Sequence, residues 1–136
     1  MLFSDDTEKS RAERLRTIWG WETNLNERII TLTELEIALP KDQIDPVDAP
    51  MFKSVSNTPD YVDGRDPVVA LNVNGDDRAY PLVILTWHEI VHDTVGGVRV
   101  IVTFCPLCNT ASTFARVIDG RELTFGTSGM LRNSYL

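Results

Sequence analysis

The sequence predicts an α+β domain, mostly antiparallel β with one or two short helices. Two glycine-bearing reversals, Asn74-Gly75 and Gly96-Gly97, separate runs rich in Val, Ile and Leu, which is the signature of hairpins. Helical spacing of apolar residues is confined to two short stretches, 5–21 and 82–93. At 136 residues, 43% hydrophobic and 24% charged, the chain is long enough to bury an ordinary core.

Residues 5–21 read as a helix that Asp5 or Asp6 caps, with Leu15, Ile18 and Trp19 as a narrow apolar stripe. Residues 29–39, "IITLTELEIAL", mix β-branched residues with alternation at Leu35, Ile37 and Leu39, which predicts a strand. Three prolines and three aspartates make residues 40–52 an irregular connection, and "SNTPDYVDGRDP" is a second turn-rich stretch. "VVALNV" and "RAYPL" flank "NGDD" as the arms of a hairpin. In "LVILTWHEIVHD" the spacing puts Ile84, Trp87, His88 and Val91 on one helical face. Val98–Phe104 reads as a buried strand, and "ASTFARVIDGRELTFG" as two more strands around Asp119-Gly120. The expected organisation is a helical arm over residues 1–28 followed by a β-rich domain over 29–136.

The net charge of −7, without a basic cluster beside aromatic residues, argues against nucleic-acid binding. No run of about 18 apolar residues exists, so no membrane span is expected, and the N-terminus lacks the layout of a secretory signal. A small-molecule or protein partner cannot be named from these features. Two cysteines three positions apart do not make a disulfide framework.

Two motifs carry chemistry. His88-Glu89-Ile90-Val91-His92 fits H-E-x-x-H, in which two imidazoles one helical turn apart grip a zinc ion while the glutamate polarises its water. The chain has only these two histidines, and no helical glutamate downstream offers a third ligand, which speaks against a metalloprotease. "CPLCNT" is a strand ending in a knuckle. Its backbone N–H groups point at the sulfurs, and the pair can grip zinc or iron. Asn109 supplies the left-handed residue that such a turn requires. A redox C-x-x-C sits at a helix N-terminus, whereas "TASTFARVID" reads as strand. The leading expectation is a metal or cofactor site with Cys105 and Cys108 as thiolates and His88 as the imidazole. Glu89 serves there as an acceptor behind the ligands or as a weak fourth ligand, and as general base if the fourth position is open to water. A thiol–disulfide module and a structural domain with buried reduced cysteines are the alternatives.

Residues 78–136, through "RAYPLVILTWHEIVHDTVGG", "VTFCPLCNTA" and "FARVIDGRELTFGTSGMLRNSYL", resemble the DUF3179 family of bacteria and archaea. "LPKDQIDPVDAPMF" and "DPVVALNVNGDDRAYPL" extend the resemblance upstream. His88, Glu89, Cys105, Pro106 and Cys108 fall on matching positions. His92 stands where the family usually has Asn, so the H-E-x-x-H pattern is a one-residue coincidence over a family His-Glu pair. Other departures are Thr86 for Asn, Phe104 for Tyr, Asn109 for Gly and Arg132 for Tyr. The resemblance implies further strands beyond this chain's C-terminal pattern, hence a fragment, and an extracytoplasmic location, since many members look exported. The family is one of unknown function and implies no reaction. Arg78, Tyr80, Ser128 and Asn133 are polar positions within its motifs and candidates for lining a pocket or bonding the core.

Overall fold

Asn74 (φ 52°) and Gly75 (φ 81°) both occupy the left-handed region and turn the chain between β2 (Val68–Val73) and β3 (Asp76–Pro81). Two successive positive φ values match the right-handed twist of the flanking strands, which is why Asn-Gly favours this hairpin. The strands pair antiparallel from Val73↔Asp76 to Val68↔Pro81, as the sequence predicts. The computed structural model describes residues 3–132, with side chains from residue 7 onward. The chain forms two compact units: Ile44–Thr127, and the residues up to Gln43 together with those from Ser128 onward. The α+β class expected from the sequence holds, with two helices and small antiparallel sheets.

Within Ile44–Thr127, helix α2 (Leu82–His88) follows β3 directly and ends at Glu89, whose φ of 57° makes it a left-handed cap. The Glu89 N–H bonds back to Leu85 O at 2.7 Å, closing the last turn. The chain then enters β4 (Ile90–Val95), which pairs with β5 (Val98–Cys105), and β5 with β6 (Thr110–Ala115), in the order β4-β5-β6. The helical face expected for Ile84, Trp87, His88 and Val91 is therefore cut short. Val91 lies in a strand and Trp87 is 78% exposed, while Leu85 is the helix residue that is fully buried. The Val91–Val102 pairing outweighs the apolar spacing that would have extended the helix.

Gly96 (φ 53°) and Gly97 (φ 81°) form the β4–β5 turn. A Cβ on Gly96 would meet Val73 O at 2.1 Å, because this turn packs on the β2–β3 turn. Asn74 Nδ2 donates to Gly96 O at 2.9 Å, and Gly96 N–H donates to Asp76 Oδ2 at 3.0 Å. The irregular segment before β2 joins through Val47, whose N–H donates to Ile90 O and whose O accepts from His92 N–H, both at 2.9 Å. Tyr80, Leu85, Val91, Val102 and Phe104 form the buried cluster, with Val47, Val69, Leu71 and Leu82 against it. After β6, β7 (Val117–Ile118) and β8 (Arg121–Glu122) make a short hairpin about Asp119 and Gly120, so the two strands expected there are divided into three.

In the other unit, α1 runs Phe3–Thr17 rather than 5–21. Asp5 and Asp6 fall inside its first turn and do not precede it; their side chains lie outside the described residues. Leu15 is buried with Leu25 and Leu32, and Trp19, Trp21, Leu35, Ile37 and Met130 pack around them. Ile18, expected in the apolar stripe, is 63% exposed because the helix has ended. The strand expected over 29–39 is reduced to β1 (Glu36–Ile37), preceded by a 3₁₀ turn at Leu32–Glu34. Carboxylates hold that turn: Glu8 accepts the N–H groups of Leu32 and Thr33, each at 2.9 Å, and Glu34 accepts the Thr31 hydroxyl at 2.8 Å. Ile29 is fully exposed. β1 pairs with β9 (Met130–Leu131), with Ile37 opposite Met130 and Glu36 opposite Leu131, a distant partner that local pattern does not announce.

Leu85→Ala is expected to destabilise the domain by about 3 kcal/mol, since Leu85 is fully buried among large neighbours. Val83→Ala, on the exposed side of the same helix, should cost less than about 1 kcal/mol. Urea unfolding of the two variants beside the parent checks the pair.

Candidate functional site

β5 ends at Cys105 and β6 starts at Thr110, and these two residues are the final pair of the β5–β6 ladder. The intervening Pro106–Asn109 is thus a tight turn, with Asn109 at φ 47° in the left-handed region as the sequence predicts. Cys108 N–H donates to Cys105 Sγ at 3.3 Å, the N–H···S contact expected of a knuckle. The two sulfurs share a hydrogen bond at 2.7 Å, and both cysteines are free thiols. Cys105 is half-buried and Cys108 exposed. The hydrogen bond with Cys105, then burial, then the negative charges of Cys105 and Glu89, hold the Cys108 thiol above its ordinary range.

Glu89 reaches this turn through the backbone. Ile90 pairs with Thr103, and Phe104 N–H donates to Glu89 O at 2.8 Å, so Glu89 sits beside the end of β5. The Glu89 backbone and the two cysteines therefore stand at the same end of the sheet. Burial raises the Glu89 carboxyl above the usual carboxylate range.

His88 and His92 are separated in role by the left-handed residue between them. His88 closes α2, and its Nδ1 is 2.9 Å from Asp45 O. His92 is in β4 and almost fully buried. Its Nδ1 lies 2.7 Å from Asp48 Oδ1, and its Nε2 accepts Phe125 N–H at 3.0 Å. Accepting at Nε2 leaves Nδ1 to donate, so the two bonds fix the tautomer. The ring ties three segments of the chain together. An H-E-x-x-H zinc helix is absent because the helix stops before Ile90.

A metal held by both sulfurs spreads them to about 3.8 Å, given tetrahedral geometry and Zn–S bonds near 2.3 Å. Here they are 2.7 Å apart. The only nitrogen or oxygen donor bonded to either sulfur among the described residues is Cys108 N–H. Among those residues no group of three or more His, Cys, Asp or Glu side chains is disposed to hold an ion. The structure thus brings Cys105 and Cys108 together, sets the Glu89 backbone beside the end of β5, and ties the His88 ring to a carbonyl.

Residues 41–136 match the sequence model of a family described as a protein of unknown function, DUF3179. The chain belongs to the DUF3179 family. No curated protein and no solved structure matches it. No helix among the described residues of this DUF3179 protein is long and apolar enough to cross a membrane.

Of the remaining family-like polar positions, Tyr80 lies in the DUF3179 core. Tyr80 OH donates to Asp93 Oδ2 at 2.8 Å, and burial first, then this bond, raises the phenol. Arg78 pairs with Asp76 at 2.5 Å and lies over the Phe52 ring. Ser128 Oγ accepts Met130 N–H at 3.1 Å in a local turn. Asn133 lies outside the described residues. Sequence reasoning missed Asp45 and Asp48 as partners of the two histidines. They stand 43 and 44 residues away along the chain, in a segment without periodicity.

Two outcomes follow. His92→Ala should cost about 2–4 kcal/mol in urea unfolding, through a cavity and an orphaned Phe125 N–H, while leaving iodoacetamide labelling of Cys108 unchanged. Because the Cys108 thiol is raised, its thiolate is scarce at neutral pH. Labelling should therefore climb with pH through a midpoint above the ordinary cysteine value of about 8.5. Cys105→Ala removes the hydrogen-bonding thiol and should move that midpoint down, as read by peptide mass spectrometry across pH.

Proposed function

We propose that the Cys105-Pro106-Leu107-Cys108 turn is a two-electron dithiol–disulfide couple that exchanges with the disulfide of a partner molecule. The observation that carries this reading is the approach of two free sulfurs to 2.7 Å in a tight turn whose outer cysteine is exposed. A disulfide needs about 2.05 Å between sulfurs, so closure asks for a small movement within the turn. Exchange proceeds through a mixed disulfide. One thiol attacks the partner R–S–S–R and expels R–S⁻, and the second thiol attacks the first cysteine and expels the other R–S⁻. The protein loses two electrons and two protons, and the partner becomes two R–SH. The exposed Cys108 is the sulfur that meets the partner, and the half-buried Cys105 resolves the mixed disulfide.

Zinc or iron ligation is the second reading, and one observation favours it. An imidazole whose Nδ1 bonds a carbonyl, as His88 does with Asp45 O, presents Nε2 as a ligand in many metal sites. The sulfur spacing favours the first reading.

The deciding experiment exposes the reduced protein to oxidised dithiothreitol and glutathione buffers. Alkylation and non-reducing mass spectrometry then follow. A Cys105–Cys108 bridge that forms and is reduced again over the buffer series is the expected result, and Cys105→Ser or Cys108→Ser abolishes it. Two alkylated thiols under every buffer would sink the redox reading. One equivalent of zinc or iron per chain, lost in both serine variants, would establish the metal reading instead.

A further inference from the structure

We propose that a cleft between α1 and the Leu32–Glu34 turn binds a small oxyanion of the phosphate class. The site draws on side chains between Thr7 and Thr33 alone, so it is independent of the dithiol reading.

Helical spacing builds one wall. Thr7, Ser10, Arg11 and Arg14 recur at intervals of three and one on a single face of α1, and Thr33 lines the cleft from the 3₁₀ turn. The volume is about 160 Å³. Pockets for organic ligands run from about 300 Å³ upward, so this space suits a single small ion. Every lining side chain carries a hydrogen-bond donor, Arg11 and Arg14 are cations, and none is a carboxylate.

Two observations point to an anion. Arg11 is under-bonded: its Nη2 donates to Leu35 O, but its Nε is buried and meets no partner among the described residues. Among those residues no carboxylate pairs with Arg11 or Arg14. A guanidinium that gives up water without gaining an acidic partner carries a cost, and an ion beside it supplies the compensation. The second observation is that the two arginines are like charges one turn apart on one helix face, an arrangement that weakens a helix by itself. A dianion between them replaces that repulsion with charge-assisted bonds, and the planar fork of arginine fits the edge of a phosphate. Glu8, which accepts the Leu32 and Thr33 N–H groups, is already paired with Arg28 at 3.0 Å and does not line the cleft.

Calorimetric titration of the full chain with inorganic phosphate, at an ionic strength held constant with sodium chloride, tests the site. Saturable binding of one phosphate per chain is the expected result, and in nitrogen-labelled protein the amide resonances of Ser10, Arg14 and Thr33 should shift together. Arg14→Gln leaves the Arg11–Leu35 bond in place and should weaken binding by about tenfold or more. Arg11→Lys keeps the charge but loses the fork, and should weaken binding as well while circular dichroism shows α1 retained. O-phosphoserine in place of phosphate separates the two sources of the group: tighter binding assigns a phosphate monoester, weaker binding the free ion. A titration that does not saturate, or an affinity unchanged in Arg14→Gln, would overturn the proposal.

Discussion

One left-handed residue governs the Ile44–Thr127 unit. At Glu89 the chain passes from the last turn of α2 into β4 without a loop, and the switch costs a conformation that L-residues rarely adopt. Bonds on both sides of the peptide, to Leu85 and to Phe104, keep it there. From that point β4 runs antiparallel to β5, which sets the register of the sheet and seats Val91 and Val102 against Leu85 and Tyr80. A longer helix would have carried Ile90 and Val91 away from their cross-strand partners. The same switch divides the two histidines, leaving one at a helix end and the other in the middle of a strand.

The site and the core are therefore products of one topology. The β5–β6 turn presents the sulfurs, and the α2–β4 junction sets the Glu89 backbone beside the end of β5. Both lie at the same end of the three-stranded sheet, because β4 starts where β5 finishes. At the opposite end, the Gly96 turn is clamped against the β2–β3 turn by Asn74 and Asp76. His92 adds the third constraint, binding Asp48 and Phe125 on either side of β4.

Much of this was legible in the residues. Asn74-Gly75, Gly96-Gly97 and Asp119-Gly120 mark their turns because positive φ is chemically restrictive. The knuckle was legible because Cys-Pro-x-Cys followed by Asn admits few backbone courses. Residues 29–39 misled because their alternation is outweighed by carboxylate bonds, one of them from Glu8, 24 residues away from Leu32. The apolar spacing in 82–93 is genuine for helix, yet Glu89 gives no local warning that the helix stops there. The sulfurs' neighbours were harder still. The Nδ1 of His88 is held by a carbonyl from an irregular segment, and spacing along the sequence carries no trace of such a bond.

The pairing of β1 with β9 has a consequence for the order in which the protein is assembled. The hairpins of the Ile44–Thr127 unit join neighbours in sequence and close small loops, so they can organise as the chain leaves the ribosome. Glu36 and Ile37, by contrast, meet Met130 and Leu131, and the Leu39 N–H waits for Gly129 O. Closing so long a loop has an entropic cost that grows only slowly with length, but it cannot begin before residue 131 has emerged. Until then Leu15, Leu25 and Leu32 lack the cover that Met130 gives their cluster.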